Sequence, residues 1–242
     1  MCDLPTMNAC FPDATRRRNP AALLALAGAL LAGLPLPAAR SAEATAAGEV
    51  SLIRIQGAIG PATASYVARA VRHATESGAR CLVVEIDTPG GLLDSTKTIV
   101  QAFYASGVPV VAYVAPTGAH ATSAGCIIAL AADVASMAPH TSIGAAHPVE
   151  LGGMGEAKTD SVMSKKLENF TVSYVEAIAA KRGRNVEWAA AAVRDSASVT
   201  AEKALELRVI DLIANGIRHG DETPLISGRC RWGEVTDLGK KD

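Results

Sequence analysis

The sequence predicts an α/β protein with a mostly parallel sheet and flanking helices. Apolar segments of strand length alternate with segments of helical length from about residue 50 to residue 214, which is typical of βαβ units. The predicted strands 81–87 and 108–114 are nearly continuous apolar runs bounded by turn residues, as in strands buried on both faces. The 242 residues are 49% hydrophobic and only 4% aromatic, with net charge −1. This composition indicates a compact core of small aliphatic side chains rather than a disordered chain.

The strands are predicted from β-branched residues, from apolar alternation or continuous apolar runs, and from the turn residues that bound them. The first strand alternates in this way, whereas the second and third are continuous. Two short strands flank Pro139. The predicted strands are residues 50–55, 81–87, 108–114, 133–138, 141–149 and 209–214.

The helices are predicted from their end signals. Pro61 suits the first turn of a helix, and Gly78 and Gly107 each follow the end of one. Asn185 and Thr200 are good N-cap residues for two later helices. The predicted helices are residues 61–77, 92–106, 123–132, 161–181, 186–194 and 201–208. Between them, the glycine-containing segment 150–158 is predicted to be a mobile loop.

The first 44 residues have the three parts of a secretory signal. Arg16–Arg18 precede an apolar run at 21–34, and Ala42-Glu43-Ala44 fits a small-residue cleavage site. The apolar run is short for a membrane-spanning helix, and an uncleaved anchor is the alternative. We therefore expect an exported protein on the periplasmic or extracytoplasmic side of a membrane, with residues 1–44 as signal or anchor, one domain over 45–214 and a tail over 215–242.

Charge and cysteine usage exclude several kinds of function. A balanced charge and few aromatics disfavour nucleic-acid binding. The five cysteines have neither the spacing of a disulfide framework nor that of a metal cluster, and no nucleotide-binding loop is present. We expect no cofactor and no metal. Cys81 and Cys126 each begin an apolar element and are expected to be buried structural thiols.

Two loops that follow predicted buried strands could carry chemistry. In Thr88-Pro89-Gly90-Gly91, the glycines leave backbone N–H groups unobstructed, which suits an oxyanion hole. The loop 118–125 places Ser123 at the start of an apolar helix, where the helix N-terminus stabilises negative charge and the Ala124 N–H could be a second oxyanion donor. Local features alone permit a plain turn for the first loop and favour an N-cap role for Ser123.

Several motifs in order along the chain resemble the NfeD family, which are membrane-associated serine proteases of the ClpP/crotonase-like fold. The motifs are Asp87-Thr88-Pro89-Gly90-Gly91, Ser123-Ala124-Gly125 and residues 137–149, followed by Gly183-Arg184-Asn185, Trp188 and residues 198–211. The resemblance covers residues 48–214 and implies a ClpP/crotonase-like serine protease domain over 45–214. It also implies a short form, without the membrane helices and C-terminal β-barrel of many full-length members.

The resemblance implies a Ser–Lys dyad. Ser123 matches the nucleophile, and the backbone N–H groups of Gly91 and Ala124 match the oxyanion hole. The family pattern of a lysine, two residues and an asparagine selects Lys166 as the general base. Lys165 and Lys166 are about 100° apart on a helix, so only one can face the site, and the apolar positions around them leave the choice open. A lysine base needs apolar burial to lose its proton near neutral pH.

His147 is the alternative base. It lies 24 residues after Ser123, similar to the histidine of the Ser-His-Asp triad in soluble ClpP, and it would need no large pKa change. The NfeD resemblance instead makes His147 a structural loop residue. His120, three positions before Ser123, is expected to line the cleft.

These observations predict a serine endopeptidase that cleaves apolar segments of membrane-associated proteins, with segment 150–158 closing over the substrate. The expected partners are a peptide or membrane-protein substrate, stomatin-like proteins among them, and a second copy of the chain in a homodimer. One alternative is a ClpP-like Ser-His-Asp peptidase that uses His147. A crotonase-type acyl-CoA enzyme is disfavoured by the export segment and by the absence of evident carboxylate bases. A non-catalytic membrane-associated scaffold or assembly protein is the third alternative.

Overall fold

A computed structural model describes residues 49–148 and 161–216 and the backbone of 235–237. The predicted export segment 1–44, the segment 150–158 and most of the predicted tail lie outside these residues. The predictions made for those segments therefore stay predictions.

Strands and helices alternate through most of the described chain. The strands are β1 (Val50–Gln56), β2 (Cys81–Asp87), β3 (Val110–Val114), β4 (His120–Thr122), β5 (Val134–Met137), β6 (Ser142–Gly144), β7 (Ser198–Thr200), β8 (Leu212–Ile213) and β9 (Val235–Asp237). The helices are α1 (Pro61–Glu76), α2 (Leu93–Tyr104), α3 (Ala124–Ala131), α4 (Ser161–Arg182), α5 (Val186–Arg194) and α6 (Ala201–Glu206).

The main sheet has six strands in the order β8-β5-β3-β2-β1-β9. Every neighbouring pair in it is parallel. A smaller sheet has the order β4-β6-β7, with β4 parallel and β7 antiparallel to β6. The predicted α/β class, with a mostly parallel sheet and flanking helices, is confirmed.

The differences from the predicted elements concern short strands. β4 lies in a segment predicted to be a loop, and β7 was not predicted, because three residues carry no recognisable period. The predicted strand 209–214 shortens to Leu212–Ile213, and β9 lies within the predicted tail. Each of these strands is defined by its partner in a sheet rather than by its own sequence.

The main sheet has two apolar faces. One face packs against the helices, and its core includes Ile53, Val84 and Ile86 from strands with Val67 and Ile128 from helices. The other face has a separate cluster of buried side chains from the strands, to which no helix of the described chain contributes. Its members are Val50, Leu52, Cys81, Val83, Val111, Tyr113, Ala115, Val134 and Ala138.

The structure also bears on the predicted burial of the cysteines and on membrane-spanning helices. Cys81 and Cys126 are both buried, as predicted. Within the described residues, no helix combines the length and the apolar character that crossing a bilayer requires.

Candidate active site

The two loops singled out in the sequence meet at the carboxyl edge of the main sheet. Thr88, directly after β2, forms an isolated parallel bridge with Ala121 of β4. The Thr88 N–H donates to the His120 carbonyl over 2.8 Å, and the Thr122 N–H donates to the Thr88 carbonyl over 3.0 Å. Crevices at the carboxyl ends of parallel strands are where α/β proteins bind ligands.

Thr88 holds the first loop in shape. Its side chain is completely buried, and its hydroxyl donates to the Gly57 carbonyl over 2.6 Å. The same oxygen accepts from the Gly90 N–H over 3.1 Å. No role was predicted for Thr88 by itself, although a threonine between a buried strand and a Pro-Gly-Gly turn is a candidate for such bonds.

Gly90 and Gly91 permit two close backbone approaches. Gly90 has φ +121°, and a Cβ there would lie 2.7 Å from the Cβ of Ser123. A Cβ on Gly91 would lie 2.1 Å from the Ile59 carbonyl oxygen. No side chain fits at either position, so the glycines bring this backbone directly against Ser123 and Ile59.

Two backbone N–H groups are available for a ligand at this junction. The Ile59 N–H donates to the Gly90 carbonyl over 2.8 Å, and the Leu92 N–H donates to the Ile59 carbonyl over 2.9 Å. Ile59 thus bonds to the residues on either side of Gly91, as in a parallel bridge. In such a bridge the N–H of the middle residue, here Gly91, points away from the partner strand. Ala124 is the first residue of α3 and has no intrahelical acceptor. Neither the Gly91 nor the Ala124 N–H donates to another backbone group of the described chain.

Ser123 adopts a backbone conformation that is rare for any residue except glycine, with φ 53° and ψ −113°. Its N–H donates to the Gly144 carbonyl over 2.9 Å, which anchors it to β6. Ser123 stands at the N-cap position of α3, but its hydroxyl makes no capping hydrogen bond. The N-cap role that local features favoured is therefore wrong, and the half-buried hydroxyl is left for another purpose.

The two candidate lysines point in different directions from the start of α4. Lys165 forms an ion pair with Glu168 over 2.8 Å. This pairing lowers the pKa of the Glu168 carboxyl. Lys166 is exposed, and at 100° per residue it lies opposite the buried stripe of Val172, Val175 and Ala179. No hydrogen bond joins Lys166 to Ser123 in the described structure, so its assignment as the base stays a prediction.

The structure also describes the two histidines considered in the sequence, His147 and His120. His147 is exposed, and its Nδ1 lies 2.9 Å from the Val193 carbonyl oxygen. Because a carbonyl can only accept, Nδ1 is the donor in this contact. A backbone carbonyl thus occupies the place of the triad aspartate. His120 pairs with Asp87, with Nδ1 and Oδ1 3.3 Å apart, and stays partly exposed beside the loop.

Among the described residues, no group of three or more histidine, cysteine or acidic side chains is placed to hold a metal ion. The described geometry brings together a hydroxyl, that of Ser123, and the backbone N–H groups of Gly91 and Ala124. This arrangement suits attack on a carbonyl carbon with stabilisation of the resulting oxyanion.

Comparison with known proteins identifies relatives of the chain. It is 36% identical over 170 residues to the membrane-bound protease PH1510 of Pyrococcus horikoshii, a match that covers 69% of this chain and 38% of that protein. It is 32% identical over 142 residues to the membrane protein NfeD1b of Bacillus subtilis, covering 59% of this chain and 30% of that protein. The chain thus spans less than two fifths of the length of either relative.

Solved structures of one related protein match the fold. A serine-to-alanine variant of the 1510-N membrane-bound stomatin-specific protease has a TM-score of 0.67 and 32% identity, covering 81% of this chain and 100% of that chain. A lysine-to-alanine variant of it, in complex with a substrate peptide, has a TM-score of 0.67 and 31% identity, covering 80% of this chain and 93% of that chain. These matches support the prediction of a serine peptidase.

The family comparison agrees with the resemblance read from the motifs. A model of the NfeD1b N-terminal domain matches residues 49–217, which include both loops of the candidate site and all six helices. The chain therefore belongs to the NfeD1b N-terminal domain family.

Proposed function

We propose that this chain is a serine endopeptidase with Ser123 as nucleophile, Lys166 as general base and the N–H groups of Gly91 and Ala124 as oxyanion hole. The observation that carries the proposal is the strained, uncapped Ser123, which lies against the Gly90 backbone. The residues that follow Ser123 and Gly90, Ala124 and Gly91, have N–H groups that donate to no backbone group of the described chain. A protein does not keep a strained serine in such a place without a surrounding structure that enforces it.

The proposed reaction begins with attack of the Ser123 Oγ on the carbonyl carbon of a peptide bond, while its proton passes to the neutral Lys166 amine. The carbonyl oxygen becomes an oxyanion and accepts hydrogen bonds from the two N–H groups. As the tetrahedral intermediate collapses, the C–N bond breaks and Lys166 returns the proton to the leaving amine. Water then hydrolyses the acyl-enzyme by the same two steps.

Spacing along the chain supports a lysine base over histidine. The serine and the lysine that were replaced in the two 1510-N variants are roughly forty residues apart by their numbers. Lys165 and Lys166 lie at about that distance after Ser123, whereas His147 lies only 24 residues after it. The Lys-x-x-Asn pattern then selects Lys166.

Lys166 must become shielded from water to act as a base, because an exposed lysine keeps its proton at neutral pH. We propose that the first turn of α4 approaches Ser123 when a peptide occupies the cleft. Catalytic contacts are often long or absent without substrate and tighten on binding.

We further propose that the substrate is an apolar segment of a membrane-associated, stomatin-like protein, cleaved by an exported homodimer. Leu92, directly after Gly91, is 40% exposed and offers apolar surface beside the oxyanion hole. The 1510-N protease is named as stomatin-specific and was solved with a substrate peptide, which supports a peptide of this kind.

The test is labelling with a serine-directed phosphonate, mapped by mass spectrometry, together with cleavage of an apolar peptide. We expect Ser123 to be labelled in the wild type, and both labelling and cleavage to be lost in Ser123→Ala and Lys166→Ala. Lys165→Ala is the matched control and should retain both. Full cleavage by Ser123→Ala, or a folded wild type in which Ser123 is never labelled, would contradict the proposal.

The same experiment distinguishes Lys166 from the alternative base, His147. The contact between the His147 Nδ1 and the Val193 carbonyl leaves the Nε2 atom as the ring nitrogen that could face a substrate. Loss of cleavage in His147→Ala with retention in Lys166→Ala would assign the base to histidine. Loss in Lys166→Ala alone would assign it to lysine.

A further inference from the structure

The helices α2, α3 and α4 are joined at their last turns. Arg182, the last residue of α4, donates to the Ala131 carbonyl at the end of α3 over 2.7 Å. The same guanidinium lies 5.1 Å from the ring centroid of Tyr104, the last residue of α2. At their other ends, α3 begins directly after Ser123 and α2 begins two residues after Gly91. Two of the three helices thus start at the candidate site.

A second contact joins α2 and α4 nearer to their starts. The Lys97 ammonium lies 4.7 Å from the centroid of the Phe170 ring, which is within the range of a cation–π interaction. Lys97 is one turn from the start of α2, and Phe170 lies in the first half of α4. With one contact near their starts and another at their ends, α2 and α4 run in the same direction. The start of α4 is therefore at the same end of the domain as the two loops.

Packing of the core does not explain the contact between Lys97 and Phe170. Phe170 is 46% exposed, and neither apolar cluster of the described residues includes it. Its ring stacks on that of Tyr174, one turn later in α4, with the centroids 6.1 Å apart. The Lys97 ammonium also pairs with Asp94 of its own helix over 3.2 Å. What the contact adds is a link that fixes one face of α4 against α2.

Lys166 lies on this face of α4, one helical turn before Phe170. Residues four apart are neighbours on a helix and differ by about 40° around its axis. Lys166, Phe170 and Tyr174 therefore form one stripe, and the contact with Lys97 turns this stripe toward α2. Lys165 is about 140° from Phe170 around the axis and pairs with an acidic side chain elsewhere on α4. The stripe turned toward α2 thus includes Lys166 and excludes Lys165.

We propose that Lys97 and Phe170 are positioning residues for the base of the peptidase, an inference that rests on the proposed function of Lys166. Their contact holds the stripe of α4 that bears Lys166 against α2, which begins beside the oxyanion donor Gly91. It thereby restricts the orientations in which the first turns of α4 approach Ser123 when a peptide is bound. Small errors in the placement of a catalytic group are costly, so loss of this contact slows the reaction.

The kinetic test uses Lys97→Met and Phe170→Leu, which remove the cation or the ring and keep an apolar side chain. We expect each variant to lower kcat for an apolar peptide about fivefold and to change KM less than about twofold, because a base acts in the transition state and not in substrate binding. The double variant should be slower than either single variant by less than about twofold, because both changes remove the same contact. Lys97→Arg should restore kcat, since a guanidinium also stacks on an aromatic face.

Lys181→Met is the matched control. The Lys181 ammonium lies 5.0 Å from the Tyr104 ring centroid, so it makes the same kind of contact between the same two helices at the end away from the site. Its removal should leave kcat unchanged. A raised KM with unchanged kcat in Lys97→Met and Phe170→Leu would overturn the proposal, because these residues would then contact the peptide itself. Additive losses of kcat in the double variant would also overturn it.

Amide hydrogen exchange tests the contact without a substrate. In the substrate-free full chain, we expect residues 163–170 to exchange at least about threefold faster in Lys97→Met and in Phe170→Leu than in the wild type. Residues 175–182 should keep the wild-type rate, because Val175 and Ala179 anchor that part of α4 in the core. Equal exchange of residues 163–170 in the wild type and both variants would overturn the proposal.

Ser123→Ala separates failure of this inference from failure of the proposed function. Cleavage that persists in Ser123→Ala would overturn the proposed function, and this inference with it. Cleavage that requires Ser123 but proceeds with wild-type kcat in both Lys97→Met and Phe170→Leu would overturn this inference alone.

Discussion

Ser123 has a backbone conformation in which glycine is at ease and serine is strained, with φ 53° and ψ −113°. The hydrogen bond from its N–H to the Gly144 carbonyl and the packing of Gly90 against its Cβ hold it there. Strain of this kind costs on the order of 1–3 kcal/mol and is typical of active sites. The conformation that fixes the position of the Ser123 hydroxyl therefore lowers the stability of the folded protein.

This strain predicts an unusual order of stability among variants. We expect Ser123→Gly to be more stable than Ser123→Ala by about 1 kcal/mol, because glycine relieves the strain and alanine does not. Urea unfolding of the two inactive variants measures the difference. Ser173, exposed within α4, is the control: there the glycine variant should be about 1 kcal/mol less stable than the alanine variant. The same order at both positions would contradict the interpretation.

Helix α3, which presents Ser123 and the Ala124 N–H, is held at its other end by arginines from the end of α4. Its eight residues are all buried and none is charged. Arg184 donates to the carbonyls of Leu130 and Ala132 over 2.6 and 2.9 Å, and Arg182 donates to the Ala131 carbonyl over 2.7 Å. These cations satisfy the last carbonyls of α3 and complement its dipole.

Arg184 is the costlier of the two to bury. Desolvation lowers the pKa of its guanidinium, and the opposing contribution comes mainly from Asp211, which forms an ion pair with it over 2.7 Å. Gly183-Arg184-Asn185 was one of the motifs that resemble the family, and no physical role was predicted for it. The structure supplies one, because this motif joins the end of α4 to the end of the helix that begins directly after Ser123.

Replacement of Arg184 should therefore be expensive. We expect Arg184→Met to lower the free energy of unfolding by on the order of 3 kcal/mol, because it removes the ion-pair partner of Asp211 and the donors to two helix carbonyls. Arg194→Met is the control, since Arg194 is exposed and 3.5 Å from Glu176, and it should cost less than about 1 kcal/mol. Chemical denaturation of both variants measures this, and equal losses would contradict the proposed role.

At the scale of the whole molecule, burial of ionisable groups in an apolar interior sets an alkaline limit to stability. Desolvation raises the pKa of the Cys126 thiol from 9.0 to about 12, and that of the Tyr174 hydroxyl from 10.0 to about 12. Both groups are largely neutral in either state below about pH 8. Above that, the unfolded chain releases protons that the folded chain retains, so unfolding becomes more favourable as pH rises toward 12.

We therefore expect the free energy of unfolding to fall between pH 9 and pH 12. Relative to the wild type, this decrease in the free energy of unfolding should be less steep above pH 9 in Cys126→Ala and above pH 10 in Tyr174→Phe. For each protein, the free energy is expressed as the change from its own value at pH 7. Denaturant titrations across this range measure the slopes. Curves that superimpose on the wild type after subtraction of the pH 7 offset would contradict this account.

The sequence by itself determined the fold class, because strand and helix signals alternate along most of the domain. It also determined the membership of the NfeD family and the two loops of the candidate site, because the glycines and Ser123 occur in motifs that tolerate little variation in backbone geometry. Local signals were sufficient wherever an element was long, capped or glycine-dependent, as in β2, α1 and α5.

Only the tertiary structure decided the features that depend on partners distant in sequence. The strands β4, β7 and β8 exist through pairing, and Thr88 acts through Gly57, 31 residues away. Ser123 was favoured as an N-cap by its neighbours, yet in the conformation held by Gly144 and Gly90 its hydroxyl makes no capping hydrogen bond. Local sequence encodes what neighbouring residues can form, whereas register, strain and the faces of a sheet arise only when distant segments pack together.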